Sequence, residues 1–479
     1  MCLSRVNPSQ IPPGPVAGGR ERCSPFPAWT ARRTPCPALS PRWLANRSTC
    51  CGIPRDSAAC ACGFPAPWTS APCPALRWWP TPFILGANFV TNGNPSTALN
   101  TLMTYDAAGG MRAMRTVPDL LGNPTEFVAA LAAADADGKD NVRIASDQTL
   151  TGEKTVNALA LTYRTGTTAA KLTLDASARL TVGSGLLAFV GGSLDAQEGS
   201  VIDVGAREGV IFGNPTVSGC LAGAGGYTFS AFNGTLSLTG TNAYSGQTTV
   251  VSGTLHAYRA TATPHNDAFP DDGFVLIHPG ATLRIGDSTT SDYRTREVIG
   301  SLGGGGRVQL GYISDATEEQ RRGLVIGAGG MGTPGEVVLD NGTISPGMPG
   351  EVGTLSVTTE ANAAGAAIPV RLKKGMIEID IAGPGVCDVL STLTNVNISA
   401  GGGLVVDVDV GSFQPRRGQE WTIIVSESGP ITDGNGGKLL DAITDNSDRV
   451  NFTAAISEDK TALVLTDIDA NPGTVLMVR

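Results

Sequence analysis

The chain has 479 residues, a net charge of −9 and 62 glycines, with aromatic residues at 5% and charged residues at 16%. An acidic balance argues against nucleic acid as a partner, because neutralising phosphates takes clustered lysine and arginine. No apolar run reaches the roughly 18 residues of a transmembrane helix, and the glycine excess suits many short strands and turns.

Residues 1–80 differ from all that follows. They hold nine arginines and no lysine, for a charge near +7, with 15 of the 31 prolines, eight of the ten cysteines and five of the six tryptophans. Three readings compete. Cys2, Cys23, Cys36, Cys50, Cys51, Cys60, Cys62 and Cys73 are even in number and could build a disulfide or metal module, but no Cys-x-x-Cys pair and no nearby histidine supports zinc. A disordered, proline-rich lead segment is the second reading. The third, which the composition favours, is GC-rich DNA translated out of frame or from too early a start. Met1 to Arg20 lacks the apolar centre of a secretory signal; if the start is wrong, a real signal is simply missing from the sequence.

From about Ile84 the composition becomes that of a secreted β-protein. Asn123 as N-cap and Pro124 at the first helical position predict one short helix through Ala134. Asn141 to Ile144 and Val156 to Leu161 begin a strand series. After Lys171, runs such as Leu172-Thr-Leu174, Leu180-Thr-Val182, Leu186 to Val190, Val201 to Val204 and Val210 to Phe212 recur every 8–12 residues or so. Stacked, they make a solenoid of roughly 20–30 residues per coil.

The clearest unit is Gly234-Thr-Leu-Ser-Leu-Thr-Gly-Thr-Asn-Ala-Tyr-Ser-Gly-Gln-Thr-Thr-Val-Val-Ser-Gly-Thr-Leu255. Leu236 and Leu238 share one strand face; Gly240 to Gly246 is a turn cluster; Thr248 to Val251 is β-branched throughout. This stretch closely resembles the autotransporter-associated β-strand repeat of bacterial secreted and surface proteins. Gly-Thr-Leu-x-Leu-x-Gly, Asn-x-Tyr-x-Gly, Thr-Thr and Gly-Thr-Leu follow in the family's order and spacing. Gly219 to Gly226, Gly280 to Leu283 and Ile299 to Val308 are weaker matches. The resemblance covers roughly 104–468 and implies a right-handed parallel β-helix, passenger-like, secreted or on the outer cell surface, more often a scaffold than a catalyst. A full autotransporter continues into a membrane β-barrel. No such strand series occurs here, so self-translocation by this chain is not expected.

Pro264 to Gly273 and Tyr312 to Gly323 read as polar insertions, with one helical turn at Asp315 to Arg322. Towards the C-terminus, Met376 to Ile381, Leu404 to Val410 and Trp421 to Val425 read as strands. Val450 to Ile456 and Ala462 to Leu465 read as an antiparallel hairpin capping the solenoid.

Candidate chemistry is sparse. Gly327, Gly329 and Gly332 spell Gly-x-Gly-x-x-Gly, but a strand rather than a helix follows in sequence, so a glycine-rich turn is the plainer reading and nucleotide binding is not expected. His256, His265 and His278 fit no metal spacing. Asp267, Asp271 and Asp272 could collect calcium but read first as a solvated turn, as does Asp433 to Lys438. Asp407 and Asp409 share a strand face, as acids do in β-helix polysaccharide lyases and hydrolases, yet no lysine or arginine lies on that strand. Cys220 and Cys387 read as buried single thiols, and no Gly-x-Ser-x-Gly elbow occurs.

The expectation is therefore an all-β chain. Residues 1–83 form a disordered or mistranslated lead. Residues 84–142 are a lead-in with one short helix, residues 143–341 a β-helix whose best repeat is 234–255, and residues 342–479 further rungs with a capping hairpin. Leu236, Leu238 and Leu255 should point inward. The implied role is a secreted or cell-surface, adhesin-like scaffold with no catalytic, metal or cofactor residues and an extracellular or cell-envelope partner such as a polysaccharide. The alternative is a β-helix carbohydrate-active enzyme.

Overall fold

The computed structural model describes residues 102–106, 110–118, 120–165, 168–258, 268–286, 295–311, 323–327, 336–359, 369–399, 403–433, 440, 442–445 and 450–470. All fall in Pro72–Arg479, the second of the chain's two units. The fold is an all-β parallel β-helix, and no helix among the described residues is long and apolar enough to cross a membrane.

Three ladders of parallel strands run side by side. The first begins with Asn141–Ile144, Ala158–Thr165, Leu186–Val190 and Gly209–Gly213. The second begins with Gln148–Leu150, Lys171–Leu174 and Ser193–Ala196. The third begins with Glu153–Val156, Arg179–Val182, Val201–Asp203 and Cys220–Gly223. Most coils place one short strand on each face. Longer strands such as Tyr227–Leu238 and Thr248–Ala257 turn a corner and serve two faces, with a register break at the bend.

The reason is alternation. In Lys171–Leu174 and Arg179–Val182 every second residue is buried. Four-residue strands cannot bury enough surface alone, so each is stable only against the coils beside it. Leu236, Leu255, Leu283 and Val308 stack in register on successive coils, all at 0–1% exposure. Leu238 is likewise inside. Burying each such side chain contributes roughly 1.5–3 kcal/mol.

The lead-in differs from the helix expected at 123–134. Only Leu131–Ala133 is helical, as a single 3-10 turn. Val128 instead joins the first ladder by a bridge to Val142. The Gln148 amide accepts from the Leu131 N–H and donates to the Ala129 carbonyl, both at 2.9 Å. Pairing to the first coil overrides the local N-cap signal, and Leu131 and Ala134 join the solenoid core. Outside the same coils, Leu102, Met114 and Phe127 pack on Ala158, Ala160, Leu186 and Ala188.

The described part of the expected polar insertion also departs from the reading. Ala268 and Phe269 are buried in the core, where among the described residues the third face has no strand between Ala243–Tyr244 and Arg296–Ile299. Residues 312–322, including the expected helical turn, lie outside the described residues, as do 1–83 and their cysteines.

The C-terminal hairpin is present. Val450–Ile456 pairs antiparallel with Ala462–Ala470, which also pairs antiparallel with Glu420–Ser426. Trp421, fully buried, is edge-on to Phe452 and Phe413 and donates its indole N–H to the Gly383 carbonyl at 2.7 Å.

Candidate functional site

Strand Leu404–Asp409 buries Leu404, Val406 and Val408, which turns Asp407 and Asp409 to the outside of the first face. Its neighbour Val370–Gly383 buries Ile377, Ile379 and Ile381, which turns Glu378 and Asp380 the same way. In register, Glu378 pairs with Asp407 and Asp380 with Asp409. Neighbouring strands lie about 4.8 Å apart, so four carboxyls form a two-by-two ladder.

The ladder has defined polar contacts. Thr444, one coil on, donates its hydroxyl to Asp407 at 2.5 Å. Asp409 accepts the Gly411 N–H at 2.7 Å. The cations of the Val370–Gly383 strand are engaged elsewhere: Arg371 with Glu336, and Lys373 and Lys374 each 3.6 Å from Asp340.

Burial, reinforced by the Asp409 and Glu378 carboxylates, pushes Asp380 up to about 6. Burial disfavours the charged form of Asp380, and the neighbouring carboxylates add to the effect. A carboxyl titrating there can hold or release a proton near neutral pH, which is the chemistry a general acid requires.

Beside the ladder sits Asp388, only 2% exposed. Its carboxyl accepts the Gly353 N–H at 2.7 Å and the Asp380 N–H at 2.8 Å. Burial, opposed by these two bonds and aided by Asp380, pushes it up to about 7.

The sequence singles out Asp407 and Asp409; it does not flag Glu378, Asp380 or Asp388. The available signal is that Glu378-Ile-Asp380 and Asp407-Val-Asp409 repeat acid-x-acid within inward-apolar strands. Asp388 has no local signal, because its role depends on a turn 35 residues away.

The other candidates stay apart. Asp271 and Asp272 are exposed in a turn, and Asp267 lies outside the described residues. Among the described residues no group of three or more His, Cys, Asp or Glu is placed to hold a metal ion. His256 is buried, its Nε2 2.8 Å from the Gly286 carbonyl oxygen and its ring stacked on Tyr258. His278 is half-buried, and desolvation lowers its imidazole. His265 is outside the described residues. Gly327 ends Gly323–Gly327, whose ladder neighbour is the strand Val337–Pro346; Gly329 and Gly332 are outside. Asp433 ends Ile431–Asp433, with 434–438 outside. Cys220 and Cys387 are both free thiols. Burial first, and then Asp388, pushes the Cys387 thiol up to about 12, which suppresses thiolate chemistry.

The Gly234–Leu255 unit forms one coil and its corner. Asn242 accepts the Leu221 N–H at 2.8 Å on one side and donates to the Ala268 carbonyl at 2.9 Å on the other. Tyr244 turns inward, edge-on to Tyr227 at 5.0 Å. The residues that stand out in sequence therefore tie coils together.

No protein-family model matches the chain, and no curated protein matches it.

Proposed function

We propose that this chain is a secreted or cell-surface structural protein, an adhesin-like, passenger-type scaffold that engages an extracellular or cell-envelope partner such as a polysaccharide without chemical turnover. The observation that carries the reading is the build of the Gly234–Leu255 unit. Its distinctive residues make a corner and a core, while its outward residues, Val251 apart, are mostly small and polar: Thr235 pairs with Thr254 and then with Thr282 of the next coil along the second face. Repetition of such coils extends a surface without converging reactive groups, whereas catalysis needs convergence in a concave site. Antibody labelling of intact native cells and of culture medium tests this. Signal on intact cells or in the medium supports the reading; signal only after permeabilisation overturns it.

One observation favours the second reading, a β-helix polysaccharide lyase or hydrolase. The ladder Glu378, Asp380, Asp407 and Asp409 includes a carboxyl held near 6. Incubation with pectins and alginates decides between the two. Unsaturated or reducing ends released above background, and abolished by Asp380→Asn, Asp407→Ala or Asp409→Ala, would replace the scaffold with the enzyme.

A further inference from the structure

Asp388 occupies a crossroads of the fold. It ends the excursion in which Val386–Cys387 folds back antiparallel on Val370–Gly383, and it precedes the second-face strand Val389–Thr392. One carboxyl oxygen takes the N–H of Gly353, the other that of Asp380. The Asp388 N–H in turn donates to the Asp380 carbonyl at 2.9 Å, and the Val389 N–H to the Gly353 carbonyl at 2.9 Å. The turn is pressed against the carboxyl: a Cβ on Gly347 would lie 2.4 Å from the Asp388 Oδ1. One side chain thus fastens the turn 347–353 to the base of the 381–387 excursion, across 35 residues of chain.

The fastening carboxyl is almost wholly removed from water, and among the described residues no cation pairs with it. The cations of Val370–Gly383, Arg371, Lys373 and Lys374, lie towards its other end and are engaged by Glu336 and Asp340; the other charged and titratable groups on the elements around Asp388 are acids or a thiol. Val370–Gly383 contributes Asp380 and Glu378 on its outward face. Leu404–Asp409 contributes Asp409 and Asp407 behind them. Cys387 is adjacent in the chain. Glu351 in the 347–353 turn and Glu420 at the start of Glu420–Ser426 are the remaining carboxyls, both exposed. Ionising Asp388 therefore buries a charge beside like charges, and only two backbone N–H groups offset it.

We propose that Asp388 is an acid-set latch, closed on the turn 347–353 when protonated and loosened when it ionises. The sign follows from linkage. A carboxyl held above its unfolded value of about 3.9 binds a proton more readily in the native state. Its stabilising contribution is full below about pH 4 and is lost as pH rises towards 7. Most carboxylates act in the opposite sense, so the latch predicts a C-terminal half held more tightly in mild acid than at pH 8.

The test uses the full chain. Hydrogen exchange at the Gly353 and Asp380 amides, corrected for intrinsic rate, is compared at pH 5.5 and pH 8, beside thermal midpoints at both values. The expected result is protection at these two amides at least ~10-fold weaker at pH 8, with a midpoint lower by ~2 °C or more. Because the chain is acidic overall, Asp388→Asn supplies the control. It should flatten the pH dependence at Gly353 and Asp380, while amides of the N-terminal coils, such as Leu187, respond as in the parent. Unchanged protection at the two amides across this range overturns the proposal. So does an Asp388→Asn variant that keeps the parent's pH response. If Asp388→Asn does not fold, the parent decides through its own reference amides: a pH response at Gly353 and Asp380 no larger than that at Leu187 overturns the proposal.

Discussion

The hydroxyl of Tyr244 lies 2.7 Å from that of Thr248, both buried inside the solenoid. The two residues flank the turn Ser245 to Gln247, so the contact closes a corner while satisfying two polar groups that water cannot reach. Burial raises the Tyr244 phenol above its ordinary range, and this hydrogen bond opposes that only in part. Thr248→Val should leave the phenol without a partner and cost about 1–3 kcal/mol. Tyr244→Phe added to Thr248→Val should cost less than the sum of the single changes, because the second removes the orphaned group. Urea unfolding of the four chains measures it; strict additivity would mean the hydroxyls do not interact.

Leu238 tests the interior more directly. It is 1% exposed and stacks in register with Val217 and Ala257 on the flanking coils. Leu238→Ala should cost about 2–5 kcal/mol through lost transfer and a cavity. Leu238→Asp should cost more, because a carboxyl there has no hydrogen-bond partner in an apolar stack. Melting temperatures equal to that of the parent would remove Leu238 from the core.

The inward stack was legible because period-two alternation in short runs leaves little choice of face. Leu172, Leu180, Ile202 and Leu236 all follow it, and the terminal hairpin was marked by Ser457 to Lys460. The lead-in was misread for a physical reason. Asn123-Pro124 is a genuine helix-start signal, but Val128 gains more by bridging to Val142 and Leu131 by entering the core than either gains from a short solvated helix. Phe269 reads as part of a polar loop because its neighbours in sequence are polar, and its place in the core depends on contacts between coils that the local sequence does not encode. At the acidic ladder, two of the four carboxyls were identified by sharing a strand face. Their partnership with Glu378 and Asp380 depends on inter-strand register, which a single strand does not encode.

The lead segment should be dispensable for stability. The first coil is covered by Val128, Leu131, Ala134 and the Gln148 amide, all C-terminal to residue 120. The compositional break near residue 80 separates it from everything upstream. A chain beginning at Ile84 should therefore melt within ~2 °C of the full chain. A larger loss on truncation, or ordered disulfides among Cys23 to Cys73, would establish the segment as structure.

Two glycines with opposite surroundings give the sharpest contrast. Gly246 belongs to the Asn-x-Tyr-x-Gly corner. A Cβ there would lie 2.3 Å from the Gly226 nitrogen and 2.6 Å from the Gly225 carbonyl carbon. Both are backbone atoms of the preceding coil and cannot swing aside, so the coils themselves would have to separate. Gly152 lies in the first coil, between Gln148–Leu150 and Glu153–Val156. Nothing lies within 4 Å of its Cβ position and its φ is not in the left-handed region. Gly152→Ala should be neutral or stabilise by up to ~1 kcal/mol, by restricting the unfolded chain. Gly246→Ala should destabilise by about 1–3 kcal/mol, the range for overpacking against an unyielding neighbour. Denaturant midpoints of the two variants against the parent settle the point. If Gly246→Ala is as well tolerated as Gly152→Ala, the close approach at that corner is not what requires glycine.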